Sequence, residues 1–260
     1  MLGVFFVLVW VTVIAALTGH ERRRSALLLS DNADGANGEA VLPTDDPVLL
    51  VRFYRLALSR ELPAREEQLV RINLACAFNA VGDHEAGLEE LDQVQLSLLS
   101  PQEMALWLNN RAYTLVFLSK PDDAIGHIDD AVELLHGDDG LAKDPLLLGC
   151  LGGTRGIAEL HRKNYREAET ALYFALRSEE ESVVLQFDPE WNVDAGRTAE
   201  RWYWLAEIAK NEGKPTEANR RYARAAAFGH TPFGKRAQAA LSAGSGPMGI
   251  PALAKAGIAS

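Results

Sequence analysis

Residues Asn73 to Val94 read N-L-A-C-A-F-N-A-V-G-D-H-E-A-G-L-E-E-L-D-Q-V, and this stretch decides the fold. Apolar residues recur at steps of three and four on both sides of Gly82-Asp83, which is the pattern of one buried face of a helix. The Gly-Asp pair leaves room only for a tight turn. Large and small apolar residues alternate along both faces, so the stretch predicts two antiparallel helices packed closely together. The residues that form the two faces are Leu74, Ala75 and Phe78 before the turn and Gly87, Leu91 and Val94 after it.

The same arrangement returns three more times along the chain. A small residue opens the second helix of each predicted pair: Gly87, Ala124, Ala168 and Ala218. Four residues later the chain has a large apolar residue each time: Leu91, Ile128, Leu172 and Tyr222. Each first helix also carries a small residue where the two helices should approach: Ala75, Ala112, Gly156 and Ala206. The repeats are spaced by 37, 44 and 50 residues, so we expect extra residues in the connections, at 136–143 and 178–197.

This pattern resembles the tetratricopeptide repeat, a helix-turn-helix unit of about 34 residues with small and large apolar residues at set positions. The resemblance implies an all-α fold, a right-handed α-solenoid of about four hairpins spanning residues 46–242. A leading helix that starts after Asp46 and a capping helix that starts after Thr231 complete this predicted repeat domain. Three helix starts support the frame. Ser100 and Glu103 form a capping box, and Asp144-Pro145 and Thr231-Pro232 each place an N-cap residue before proline.

The first 19 residues predict a single transmembrane helix. Residues 2–18 contain no charge, and Glu21, Arg22, Arg23 and Arg24 come soon after. Because positive residues stay on the cytoplasmic side, this order predicts a membrane-anchored protein whose C-terminal domain is cytoplasmic. The alternative is a cleaved secretory signal ending near Val13-Ile14-Ala15, which lacks the usual basic residues before the apolar run. Residues 20–45 are rich in Gly, Asn and Asp and predict a flexible linker, and residues 243–260 predict a disordered tail.

Composition limits the functions that the chain can have. A formal charge of −10 and a pI near 5.1 argue against a nucleic-acid-binding protein. Cys76 and Cys150 lie in apolar helical patterns and predict buried free thiols. We find no motif for catalysis, a metal, a cofactor or a small-molecule substrate. The stretch Leu151 to Gly156 is glycine-rich, but it falls within a predicted helix, where its glycines indicate close packing and not a phosphate loop.

The resemblance also implies where a partner binds, because the first helix of each tetratricopeptide hairpin lines a concave groove. Carrying this over gives a predicted groove for a protein or peptide, lined by Asn79, Asn109, Asn110, Tyr113, Val116, Ile157, Leu160, Tyr203 and Glu207. With its acidic surroundings, Glu207 predicts a preference for a peptide that carries Lys or Arg.

One subfamily binds the C-terminal carboxylate of chaperones through a clamp of Lys, Asn and Arg. Asn110-Arg111 matches one element of the clamp, but Ile72, Cys76 and Gly153 stand where the clamp needs polar or charged residues. A carboxylate would lose its hydration there without compensation. We expect Arg111 and the corresponding Arg155 to pair with acidic neighbours on an adjacent helix instead.

The function that these observations predict is a membrane-tethered scaffold or adaptor that is not an enzyme. One alternative is an exported, signal-cleaved protein of envelope assembly. Another is the regulatory subunit of an enzyme complex, or an enzyme in which the connection 178–197 completes a site.

Overall fold

A computed structural model describes residues 47–136, 144–185 and 195–243, with the side chains of 181–185 excepted. These residues form ten α-helices and one 3-10 helix, Leu96–Leu98, and the described ranges contain no strand. The helices are α1 Pro47–Leu58, α2 Ala64–Val81, α3 His84–Asp92, α4 Pro101–Phe117, α5 Pro121–His136, α6 Pro145–His161, α7 Tyr165–Leu185, α8 Ala195–Asn211, α9 Pro215–Ala226 and α10 Pro232–Ser242. The predicted all-α class is therefore confirmed.

Four of the connections are tight turns with the same backbone geometry. They join α2 to α3, α4 to α5, α6 to α7 and α8 to α9, and in each turn one residue has a positive φ: Gly82, Ser119, Lys163 and Gly213. At the first turn, the N–H of Gly82 donates to the carbonyl of Asn79, and the N–H of Asp83 donates to Phe78. The equivalent two bonds close the other three turns, which makes each a Schellman motif.

The small residues that open the second helix of each pair lie beside the turns. Gly87, Ala124, Ala168 and Ala218 are all buried, and each donates its N–H to the carbonyl four residues earlier, in the turn. Gly156 shows why the position must be small: an added Cβ would lie 2.6 Å from Cγ of Leu172. Such close approach lets the helices interlock along their length.

Helix starts follow the predicted capping residues. The hydroxyl of Ser100 accepts from the N–H of Glu103 at 3.3 Å, and the carboxylate of Glu103 accepts from the N–H of Ser100 at 2.7 Å. Asp144 accepts from two N–H groups of α6, and Thr231 accepts from Gly234 at the start of α10. These bonds satisfy amide groups that have no partner within the helix.

The described helices fall into two compact units, residues 47–114 and residues 115–243, with the boundary inside α4. In the first unit, α1 covers α2 with Leu50, Val51 and Tyr54 against Leu74 and Phe78. In the second unit, α10 packs on α8 and α9. Each end helix therefore packs on apolar side chains of the neighbouring helices.

Arg111 and Arg155 pair with acids as expected. Arg111 on α4 forms an ion pair with Asp92 on α3, and Arg155 on α6 forms one with Asp129 on α5. In both cases the first helix of one pair is tied to the second helix of the preceding pair. The two acids are 37 residues apart, which is the spacing of the repeat itself.

One predicted connection is wrong in its bounds. We expected residues 178–197 to be a loop, but α7 continues to Leu185 and α8 begins at Ala195. The reason is that Ser178 and Glu179 are buried and Glu179 pairs with Arg201, so this part of the sequence has packing partners that stabilise a helix. The predicted anchor (1–19), linker (20–45) and tail (243–260, apart from Ala243) lie outside the described residues. Among the residues that are described, no helix is long and apolar enough to span a membrane.

Candidate binding site

A cavity of about 530 Å³ lies between α7, α8 and α9 in the second unit. We call it the arginine–aromatic pocket. Tyr173 of α7 and Trp202 of α8 form its aromatic wall, and the start and outer face of α9 form the rest. The lining residues from α9 and the turn before it are Lys214, Pro215, Thr216, Glu217, Arg220, Arg221 and Arg224. Nearly all the polar groups therefore come from one short helix.

The aromatic wall is arranged edge to face. The rings of Tyr173 and Trp202 have centroids 6.1 Å apart at 81°, and the guanidinium carbon of Arg224 lies 4.3 Å from the centroid of Trp202. This distance is within the range of a cation–π interaction. Tyr173 is 41 % exposed. Phe174, the next residue on α7, is 48 % exposed, lies against Gly152 of α6 and is not part of the pocket lining.

Among the cations that line the pocket, Arg221 holds the helices together. It is buried, and it donates to the carbonyl of Leu205 at 2.9 Å and to the carboxylates of Glu217, at 2.5 Å, and Glu169. These bonds tie α9 to both α8 and α7. Arg221 therefore fixes the position of the helix that carries the other cations.

The remaining cations face outward. Arg220, Arg224 and Lys214 are exposed. Lys214 forms an ion pair with Glu212 at 3.0 Å. The hydrogen bond that Lys214 donates to Glu212 raises the pKa of the lysine. Within the described residues, Arg220 and Arg224 form no ion pair with a carboxylate. Both guanidinium groups thus keep their N–H donors available to a ligand.

The start of α9 adds further donors. No side chain caps it, because its N-cap residue is Lys214 and its first residue is Pro215. The N–H groups of the first turn point toward the N-terminal end, where the helix dipole favours negative charge. The dipole of α9 therefore adds to the positive potential at the end of the helix that the pocket includes.

A second group of charges lies in the interior of the same unit. Arg201 donates to Glu200 at 2.7 Å and to Glu179 at 3.3 Å, and Arg197 donates to Sγ of Cys150 at 3.3 Å. All five side chains are buried, and the two arginines and two glutamates balance in charge. Burial raises the pKa of the Cys150 thiol against the opposing effect of the two arginines. This cluster connects α6, α7 and α8 and is closed to a ligand.

The glycines in the Leu151 to Gly156 stretch serve packing, as predicted. The Gly153 position lies against the guanidinium group of Arg201, and the Gly152 position lies against the ring of Phe174. A side chain at either position would displace these groups. The stretch is a part of α6 that other helices approach closely.

All nine residues of the predicted groove are buried in the structure. In the first unit, the amide of Asn79 donates to the hydroxyl of Thr114 at 2.9 Å, and its carbonyl oxygen lies 2.9 Å from Nδ1 of His84. Asn109, Asn110 and Tyr113 lie on α4 in the same unit, while Val116, Ile157, Leu160, Tyr203 and Glu207 belong to the second unit. Whether these side chains touch a partner remains a prediction.

Glu207 and Tyr203 have internal partners. The hydroxyl of Tyr222 donates to the carboxylate of Glu207, and Nζ of Lys210 lies 3.7 Å from it. Burial, with the hydrogen bond to Glu207, raises the pKa of Tyr222. The ring of Tyr203 lies 5.5 Å from that of Phe233 on α10. In this conformation the Glu207 carboxylate is not offered to a basic peptide.

Sequence reasoning missed the arginine–aromatic pocket because it followed the first helices only. The signal that could have found it is R-R-Y-A-R at residues 220–224, a basic run on a helix of an acidic protein. The aromatic partners Tyr173 and Trp202 lie 29 residues apart, so only the fold brings them together. No cluster of His, Cys, Asp and Glu suited to a metal occurs among the residues with described positions.

Comparison of the chain with protein-family models and with curated proteins gives no match.

Proposed function

We propose that this protein is a helical-repeat adaptor, resembling tetratricopeptide repeat proteins, that binds a segment of a partner protein and is not an enzyme. Residues 1–19 would tether it to a membrane, with the repeat domain on the cytoplasmic side. The proposal combines an architecture, a binding surface and an anchor, each with its own support.

Support for the repeat architecture comes from the four helix pairs. The same Schellman turn closes each pair, and equivalent arginine–aspartate pairs link consecutive pairs at two places. Stacked helix pairs of this kind build stable, extended surfaces, because each pair buries its apolar face against the next. A rigid surface lowers the entropic cost of holding a flexible segment.

The observation that carries the binding role is the exposed ring of Tyr173 in the wall of a positively charged pocket, followed on α7 by the exposed Phe174. Tyr173 and Phe174 are large side chains that remain open to solvent. Exposed aromatic residues beside arginines are typical of the central residues of protein interfaces. The predicted groove residues are less accessible than Tyr173 and Phe174, so we propose that the partner contacts α7 to α9.

Site-specific photo-crosslinking of the full chain tests this function. A photoreactive amino acid would replace Phe174, and the matched control would carry it at Asp130, an exposed residue on α5. We expect the 174 position to crosslink one and the same protein in repeated experiments and to lose the adduct when unlabelled chain competes. If neither position gives a competable adduct, or if both give the same set of proteins, the adaptor function is wrong.

A further inference from the structure

The arginine–aromatic pocket has a charge opposite to that of the protein around it. Four cations line it, Lys214, Arg220, Arg221 and Arg224, against the single anion Glu217. The whole chain carries a formal charge of −10. A local excess of positive charge on an acidic protein attracts anions to one place and repels them elsewhere.

The cations differ in what they can do. Arg221 donates to Glu169, Glu217 and the Leu205 carbonyl, so its positive charge offsets the negative charge of Glu217. Arg220 and Arg224 are four residues apart on one face of α9, and both are exposed. Such a pair presents two guanidinium groups about one helical turn apart, which suits two carboxylates on neighbouring residues of a peptide.

The aromatic wall offers a ligand an apolar contact beside the arginines. Arg224 lies over Trp202, and Tyr173 meets the edge of Trp202, so an anion held by Arg224 would lie beside an apolar surface. An apolar or aromatic side chain next to the acidic residues would find a contact here. The volume, about 530 Å³, is in the range of pockets that hold a few side chains.

We propose that the arginine–aromatic pocket binds an acidic segment of the partner, with its carboxylates on Arg220 and Arg224 and a neighbouring apolar side chain against Tyr173 and Trp202. This inference rests on the proposed adaptor function and reverses the charge preference that the sequence of the predicted groove indicates. A single-stranded nucleic acid is also anionic and stacks on aromatic rings. The formal charge of −10 disfavours it, because a strand longer than the pocket would carry many phosphate charges over an acidic protein.

Calorimetric titration of the purified full chain tests the proposal. The probe is the synthetic peptide Gly-Glu-Glu-Phe-Asp-Glu-Gly, and the two comparison ligands are its counterpart with Lys at every acidic position and a short oligouridylate. We expect only the acidic peptide to bind, and we expect added salt to weaken its binding. Binding of the lysine peptide with equal affinity, or of the oligouridylate in its place, would overturn the proposal.

Charge reversal then locates the site. Arg224→Glu should weaken binding of the acidic peptide by about tenfold or more, since it removes one charge-assisted pair and adds a repulsion. Arg52→Glu makes the same charge change at an exposed position on α1, outside the pocket, and should alter binding by less than about twofold. Far-UV circular dichroism should show equal helix content in both variants. Equal losses in the two variants would mean that net charge, and not the pocket, controls binding.

The two proposals fail in different ways. If position 174 crosslinks a single partner but Arg224→Glu leaves that adduct unchanged, the adaptor function holds and the acidic-segment inference is wrong. If the acidic peptide binds as expected but position 174 gives no competable adduct, the pocket is real and the adaptor function is wrong.

Discussion

Gly156 and Gly126 are both helical glycines, but their surroundings differ. At Gly156 an added Cβ would lie 2.6 Å from Leu172 and 3.1 Å from the carbonyl oxygen of Ala168, whereas at Gly126 nothing lies within 4 Å. Gly156→Ala should therefore lower the free energy of unfolding by about 1–3 kcal/mol through overpacking. Gly126→Ala should raise it by about 0.5–1 kcal/mol, since alanine loses less backbone entropy in a helix.

Thermal unfolding of the full chain, followed by far-UV circular dichroism, measures both effects. Gly126→Ala is the control for the chemical change itself, because the substitution is the same and only the neighbours differ. A stabilising Gly156→Ala would show that α6 and α7 do not approach as closely as the structure indicates.

Single residues were predictable where one physical requirement acts alone. Small residues at the helix crossings and polar residues at the helix starts each follow from one such requirement, and both were found. Arg221 was not predictable, because its partners Leu205 and Glu169 are 16 and 52 residues away. Only the folded chain brings these groups together, and the same is true of Trp202 beneath Arg224.

At the scale of elements, the four Schellman turns differ in a way that can be measured. Gly82 and Gly213 occupy the left-handed position without cost, but Ser119 and Lys163 occupy it with φ of 61° and 65°. A residue with a Cβ is disfavoured there by about 1–2 kcal/mol. Lys163→Gly should therefore raise the free energy of unfolding by about 0.5–1 kcal/mol, and Gly82→Ala should lower it by about 1 kcal/mol.

Lys163→Ala provides the matched control for this pair. It removes the lysine side chain and keeps the Cβ, so it should leave the melting temperature nearly unchanged. A Lys163→Ala variant as stable as Lys163→Gly would show that the lysine side chain, and not the backbone conformation, sets the energy of the turn.

Existence and order of the helices were predicted better than their ends. Tight turns, N-caps and apolar spacing act within a few residues, so they can be read along the chain. The end of α7 depends on burial of Ser178 and on the pairing of Glu179 with Arg201, which lies 22 residues away. Long-range packing of this kind extends a helix beyond the point where its local sequence suggests a loop.

At the scale of the whole molecule, the predicted groove would need first helices from both compact units, while the arginine–aromatic pocket lies within one of them. A site formed by α7, α8 and α9 requires only the contacts that hold those three helices together. All three helices that form the pocket therefore belong to one compact unit.

The membrane anchor is the last element of the proposed function, and it rests on the sequence. Residues 2–18 carry no charge, and three consecutive arginines follow at 22–24. Seventeen uncharged residues reach the lower limit, roughly 17–25, of what crosses a bilayer as a helix. The arginines would hold the following domain on the cytoplasmic side. We therefore expect the full chain to sediment with membranes and a variant lacking residues 2–19 to stay in the soluble fraction.

N-terminal sequencing and protease accessibility distinguish this anchor from a cleaved signal. An anchored protein should begin at its own N-terminal residues, and its repeat domain should be digested only when protease reaches the cytoplasmic side. Changing Arg22, Arg23 and Arg24 to Ser tests the reason for that orientation, because an apolar run without flanking cations has no fixed direction. The result could instead be a mature chain that begins near Ala16 and whose repeat domain resists protease added on the cytoplasmic side. The protein would then be exported and not a tethered adaptor. The acidic-segment pocket would then have to meet its partner outside the cytoplasm.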